Sequence, residues 1–129
     1  MRATGIWHPR LTQIITALGH GDLLVVADAG LPVPPGVESI DLLWRRGEPH
    51  LVPVVETLLA ECAVEAAVVA LELVEPVVVA DLTAVLGQIP TEAVSHEHLK
   101  RLTASARAIV RTGEATPYAN VVFRAAAVF

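Results

Sequence analysis

Five histidines are spread over 129 residues, and two of them stand where an imidazole can leave a packed core and meet a pocket. The first is His20, in Gly19-His20-Gly21-Asp22. Flanking glycines tolerate turn geometries and close approaches that other residues resist, so the ring can be presented at the lip of a sheet. Because an imidazole exchanges its proton near neutrality, such a residue can act as a general acid or base, though the plainer reading is a solvated turn residue. The second is His96, in Ser95-His96-Glu97-His98. Ser95 suits a helix cap, which puts His96 at the helix start with its ring free of the helix body. His96 and His98 are two apart and point away from each other on a helix, and no third ligand is in view, so this pair does not make a metal site.

Two further strings carry hydroxyl-binding chemistry. Asp28-Ala29-Gly30-Leu31-Pro32 places a carboxylate at the end of an apolar run. In open α/β sheets ligands collect beyond the carboxyl ends of strands, where Asp28 can accept sugar hydroxyls; the alternative is an Asx turn. In Arg111-Thr112-Gly113-Glu114-Ala115-Thr116-Pro117-Tyr118-Ala119-Asn120, Tyr118 offers a hydroxyl and a flat apolar face, and Asn120 offers both a donor and an acceptor. A loop whose polar groups merely satisfy its own backbone fits the same residues.

These side chains need elements to position them. Leu11, Ile14, Ile15 and Leu18 recur at one-face helical spacing, predicting a helix over His8 to Leu18. Leu23 to Ala27 is a continuous apolar run and predicts a strand buried on both faces. Ser39 to Trp44 predicts a second strand after the Pro-rich loop Leu31 to Gly36, with a turn at Arg45-Arg46-Gly47. Leu51 to Cys62 has helical spacing, provided that Pro53 lies in the first turn. Val64 to Leu71 predicts a strand, with helix as its rival. Between Glu75 and Ile89, Pro76 followed by Val77-Val78-Val79 favours extended backbone, whereas Asp81 to Leu86 favours helix. A short strand around Glu92 to Val94, a helix from Glu97 to Ala104, a strand over Ala108 to Arg111 and a last strand in Asn120 to Phe129 with a buried terminus complete the pattern. Alternating strands and helices predict an α/β fold of three layers in one domain over residues 1–129, a mixed, mostly parallel sheet with helices on both faces.

Composition narrows the function classes. Hydrophobic residues are 53% and charged residues 18% of the chain, enough apolar material for a core with some left for burial between subunits. The longest stretch without Asp, Glu, Lys or Arg is the eleven residues Leu11 to Gly21, short of the ~20 of a membrane span. A net charge of -5 with nine Lys plus Arg argues against nucleic acid and anionic lipid. One cysteine, Cys62, allows no internal disulfide, and the N-terminal residues lack the order of a secretory signal; a cytoplasmic protein is expected.

Taken together, Leu18-Gly19-His20-Gly21-Asp22, Asp28-Ala29-Gly30-Leu31-Pro32-Val33-Pro34, Ser95-His96-Glu97, Ile109-Val110-Arg111-Thr112-Gly113-Glu114 and Thr116-Pro117-Tyr118-Ala119-Asn120 resemble the ribose pyranase and fucose mutarotase family. The Asp-Ala-Gly-Leu-Pro and Pro-Tyr-Ala-Asn strings are closer to the ribose branch. That resemblance implies cofactor-free and metal-free exchange of pyranose and furanose forms of free D-ribose in ribose catabolism. It implies His20 as proton donor, Asp28, His96, Tyr118, Ala119 and Asn120 as sugar contacts, and a ring-shaped homo-oligomer, a decamer, with pockets close to subunit contacts. Within it, Asp28 is expected to orient His20 or a sugar hydroxyl, and His96 to carry the complementary proton. A fucose-type mutarotase exchanging anomers and a non-catalytic sugar-binding ring are the alternatives. The chain departs from the family at His8, where a small polar residue is usual, at the extra imidazole of His98, and over Glu75 to Ala93.

Overall fold

A computed structural model describes residues 1–129. The elements follow in the order α1 (Pro9–Ala17), β1 (Leu23–Ala27), β2 (Glu38–Asp41), α2 (Leu51–Glu61), β3 (Val64–Ala70), α3 (Pro76–Leu86), β4 (Thr91–Val94), α4 (His96–Thr103), β5 (Ala108–Arg111) and β6 (Val121–Ala125). The six strands form one sheet in the order β2-β5-β1-β6-β3-β4. β6 runs antiparallel to β1 and β3 on either side of it; all other pairings are parallel.

Period-two alternation along the central strands divides the core in two. Leu24, Val26, Ala108, Val110, Val121 and Phe123 face the larger cluster, with Leu11 and Ile14 of α1, Leu51, Val55 and Leu58 of α2, and Leu82 and Leu86 of α3. Val25, Ala27, Ile109 and Val122 face the other way, onto Leu99 of α4 and Leu31. Helices therefore cover both faces, in the expected three layers. β1 reads as an unbroken apolar run because both of its faces are dry.

Helix starts are set by local polar groups. His8 Nδ1 accepts from Leu11 N–H at 3.2 Å, with Pro9 at the first helical position, so the unusual His8 does the work of the small polar cap it replaces. The expected extended stretch Val77-Val78-Val79 is helical instead. Glu75 accepts from Val78 N–H at 2.8 Å and Pro76 occupies the first turn, a start signal that outweighs the weak strand preference of three valines. Pro53 falls in the first turn of α2, where its missing N–H costs no hydrogen bond.

Two expectations need correction. The second strand stops at Asp41, and Trp44 projects outward with the Arg45 guanidinium stacked 4.6 Å from its ring centroid. The terminus is not buried within the chain, since β6 ends at Ala125 and Val128 and Phe129 are exposed.

Leu99 anchors the whole of α4, including His96 at its first residue, to the second face of the sheet. Leu99→Ala is expected to lower stability by about 2–5 kcal/mol in guanidinium unfolding. A loss well under that range would show that α4 is held by something other than this contact.

Candidate active site

The carboxyl ends of β1 and β5 and the start of β6 meet at one rim of the sheet, and most of the chemistry-bearing residues gather there. Asp28 follows β1 directly, while Asn120 precedes β6, and the antiparallel register sets the two side by side. Asp28 N–H donates to Asn120 Oδ1 at 2.9 Å, and Asn120 Nδ2 donates back to Asp28 Oδ2 at 3.3 Å. Gly30 N–H donates to Asp28 Oδ1 at 2.9 Å, the Asx turn anticipated as an alternative. Each carboxylate oxygen thus has one protein partner and retains a lone pair for a hydroxyl. The turn therefore does not use up the carboxylate.

Tyr118 holds a left-handed backbone at φ 63°, and Asn120 N–H closes back onto its carbonyl at 2.9 Å. That kink leaves the Tyr118 ring partly exposed, edge-on to His96 with centroids 4.9 Å apart. His96 is set by its helix start, since Ser95 Oγ accepts from His98 N–H at 3.1 Å and the Glu72 carboxylate accepts His96 N–H at 2.9 and 3.0 Å. Its Nδ1 is buried and has no hydrogen-bond partner, the one such side-chain atom in the chain. Ala119 and Asn120 are fully buried, with Asn120 backing Asp28.

Glu114, to which the sequence reading assigned no role, ties this rim together. Its buried carboxylate accepts from Leu51 N–H at 3.1 Å and from Thr116 N–H and Oγ1 at 3.3 and 3.0 Å, with His50 Nδ1 at 3.4 Å. Its carbonyl also accepts from Ala29 N–H at 3.0 Å. Burial pushes the carboxyl up, but the Leu51 N–H, the Thr116 donors and His50 together outweigh it and hold Glu114 below the usual carboxylate range. The neighbouring Gly113 lies so close to the Glu48 backbone that any Cβ would collide with it. Arg111 closes the rim through a two-pronged pair with Asp41, both contacts at 2.9 Å.

His20 lies elsewhere. Its turn precedes β1, pinned by Gly19 N–H on Asp22 Oδ2 at 2.8 Å and by Gly21, whose φ of 87° excludes most side chains. The ring is mostly exposed, with Nε2 3.0 Å from Glu65 Oε2 on β3. A five-residue strand separates its two ends by roughly 17 Å. Asp28 therefore does not orient His20 of the same chain, which leaves a sugar hydroxyl as the other expected target.

No group of three or more His, Cys, Asp and Glu side chains converges to hold a metal ion. His98 is exposed. The Cys62 thiol is pushed up to about 11 by burial and then by Glu61, away from nucleophilic reactivity. No helix is long and apolar enough to cross a membrane.

Comparison with known proteins places this arrangement. The sequence profile described as the RbsD / FucU transport protein family matches residues 1–128. The chain belongs to that family. Within the family it is 53% identical over 131 residues to a protein named D-ribose pyranase from Symbiobacterium thermophilum, covering all of both chains. It superposes on the structure of Bacillus subtilis RbsD complexed with D-ribose with a TM-score of 0.95 and 40% identity, again over the whole of both. A fucose mutarotase from Streptococcus pneumoniae in complex with L-fucose shares the fold, with a TM-score of 0.78 and 20% identity over 96% of this chain and 100% of that one.

Removing the Glu114 anchor by Glu114→Ala leaves three donors unpaired and is expected to cost about 1–3 kcal/mol in thermal or chemical unfolding. Because folding lowers this carboxyl's pKa, its contribution is present above the usual carboxylate range and fades as pH falls through the folded value. The stability gap between wild type and Glu114→Gln should accordingly narrow in acid. A gap that stays constant or widens would mean the ionised carboxylate is not what holds the rim.

Proposed function

We propose that this chain is a D-ribose pyranase, an isomerase that interconverts the pyranose and furanose forms of free D-ribose. The observation that carries the reading is the orphaned, buried Nδ1 of His96 beside Tyr118, in a continuous contact chain with the Asn120–Asp28 pair. An unpaired buried polar atom costs free energy unless a ligand completes it, and a polyol supplies donors and acceptors together. The whole-length likeness to proteins named D-ribose pyranase, and to a relative complexed with D-ribose, selects the sugar.

Ring opening needs one proton removed and one supplied. His96 Nδ1 takes the proton of the anomeric hydroxyl while the bond between the anomeric carbon and the ring oxygen breaks. The electron pair of that bond goes to the ring oxygen, which receives a proton from His20. The open aldehyde recloses when another hydroxyl attacks the same carbon and the protons return along the same routes. Asp28 and Tyr118 hold hydroxyls, with Ala119 and Asn120 forming the support behind them. Acid and base groups are sufficient for this exchange, which calls for neither metal nor cofactor, and they commonly contribute about 10²–10⁴-fold.

Since His20 sits at the far end of β1 from Asp28, we place the reaction between subunits, with His20 of one chain reaching the Asp28–His96–Tyr118 rim of another. The homo-oligomer this requires is a decamer by the family resemblance, built from the single domain of residues 1–129. We assign it to ribose catabolism in the cytoplasm.

Saturation-transfer NMR on D-ribose tests the reading: purified protein should speed pyranose–furanose exchange, with L-fucose as the comparison sugar and with chelator making no difference. His20→Ala and Asp28→Asn should each fold and lose most of the acceleration. Mixed and reassembled, the two variants should recover about a quarter of wild-type activity, because one combination in four restores an intact shared site. Binding of ribose without faster exchange would favour a sugar-binding ring, and two inactive variants that stay inactive when mixed would place His20 outside the shared site.

A further inference from the structure

Strand β3 pairs regularly with β6 from Ala66 to Val69, but its register shifts between Val64 and Ala66, which makes Glu65 the extra residue of a β-bulge. The consequence can be followed through the faces of the sheet. Ala67 and Val69 face the larger apolar cluster, so strict alternation would send Glu65 into it as well. The bulge breaks that parity: Val64 packs on the larger cluster in its place, and the Glu65 carboxylate swings out to His20, with Oε2 3.0 Å from Nε2. The other carboxylate of the turn, Asp22, is occupied by Gly19 N–H and by Arg107 at 3.2 Å. Glu65 alone serves the ring.

We propose that Glu65 is the positioning residue for His20, fixing one proton on Nε2 so that Nδ1 is the atom that gives the proton to the sugar and takes it back. The inference rests on the D-ribose pyranase reading and specifies how its acid is set up. A carboxylate only accepts, so a ring nitrogen facing it at 3.0 Å must carry hydrogen. The outward nitrogen then carries the exchangeable proton, and Glu65 offsets the positive charge whenever both nitrogens are protonated. Orientation matters as much as charge: His20 has a mostly exposed ring on a glycine-flanked turn, and without Glu65 nothing in its own chain holds its plane.

The test compares full-length wild type, Glu65→Ala and Glu65→Gln, with ring-¹⁵N-labelled histidine, His20 being assigned by the signals missing from His20→Ala. In wild type the neutral His20 ring should show hydrogen on Nε2; in Glu65→Ala it should show a mixture of tautomers. The maximal ribose exchange rate should fall by about tenfold with KM unchanged, while unfolding temperature and sedimentation stay at wild-type values. Glu65→Gln, which keeps the strand and the side-chain volume, should behave in the same direction, since an amide can either donate or accept, and it stands in should the alanine variant fail to fold. A tautomer or an exchange rate that does not change in these variants overturns the role of Glu65. If wild type itself fails to speed ribose exchange, the pyranase reading falls instead, because the tautomer is read without any sugar present.

Discussion

Five of the six strands point one way, and β6, between β1 and β3, points the other. That antiparallel pairing brings the residue entering β6, Asn120, against the residue leaving β1, Asp28, although 92 positions separate them in sequence. A parallel arrangement would have put the start of β6 beside the start of β1, and Asp28 would have had no buried amide to receive its N–H. At the opposite rim the same pairing brings Gly21 N–H to the Ala125 carbonyl at 2.9 Å, which holds the turn carrying His20. Both chemical ends of the molecule thus depend on one strand pair, and because they are the two ends of a rigid strand, they cannot approach one another.

Charged side chains are few, and several of the acidic ones are used as local anchors. Glu75 starts α3, Asp22 closes the His20 turn, Glu72 holds His96 N–H, and Glu114 supplies the start of α2 with the acceptor that His50 does not. Bonds from backbone N–H groups to a carboxylate are stronger than neutral ones, and they fix loops that have little apolar surface to bury. The rim around Asp28 is in this sense preorganised: Glu114 couples the loop bearing Tyr118 to α2 with its side chain and to the residue after Asp28 with its carbonyl.

What could be read from the sequence follows the same physics. β1 begins and ends where its apolar run does, and β5 runs only one residue past its own, to Arg111, because strands dry on both faces show the pattern without interference. Val77 to Val79 misled because helix starts are decided by groups outside the apolar pattern, here Glu75 and Pro76. Asp28, His96, Tyr118, Ala119 and Asn120 do converge on one rim, but the role of Glu114 lies in bonds to Leu51 and Thr116 that no spacing reveals. Glu65 was hidden for a related reason: a glutamate in an apolar stretch reads as weak strand or helix until the bulge that redirects it is seen. The separation of His20 from Asp28, by contrast, was already implied, since a five-residue strand lying between two residues keeps them at its opposite ends.

That separation bears on the assembly proposed for this chain. In the proposed reaction a single subunit would offer the His20 acid apart from the Asp28 rim, each of them open to water. Bringing the two together across a subunit contact would exclude solvent from both at once and strengthen the electrostatic interactions between them. Exposed apolar residues lie near each end of this arrangement, including Leu71, Val74 and Val77 next to Glu72 and α3, and Val128 and Phe129 beyond β6. Apolar surface of this kind is costly on a lone subunit and favourable once covered. The same contact that hides it would complete the site, so that burial of the surplus hydrophobic surface and assembly of the proton-transfer machinery become one event. On that reading an isolated subunit, however well folded, would carry both groups but could not bring them to one sugar.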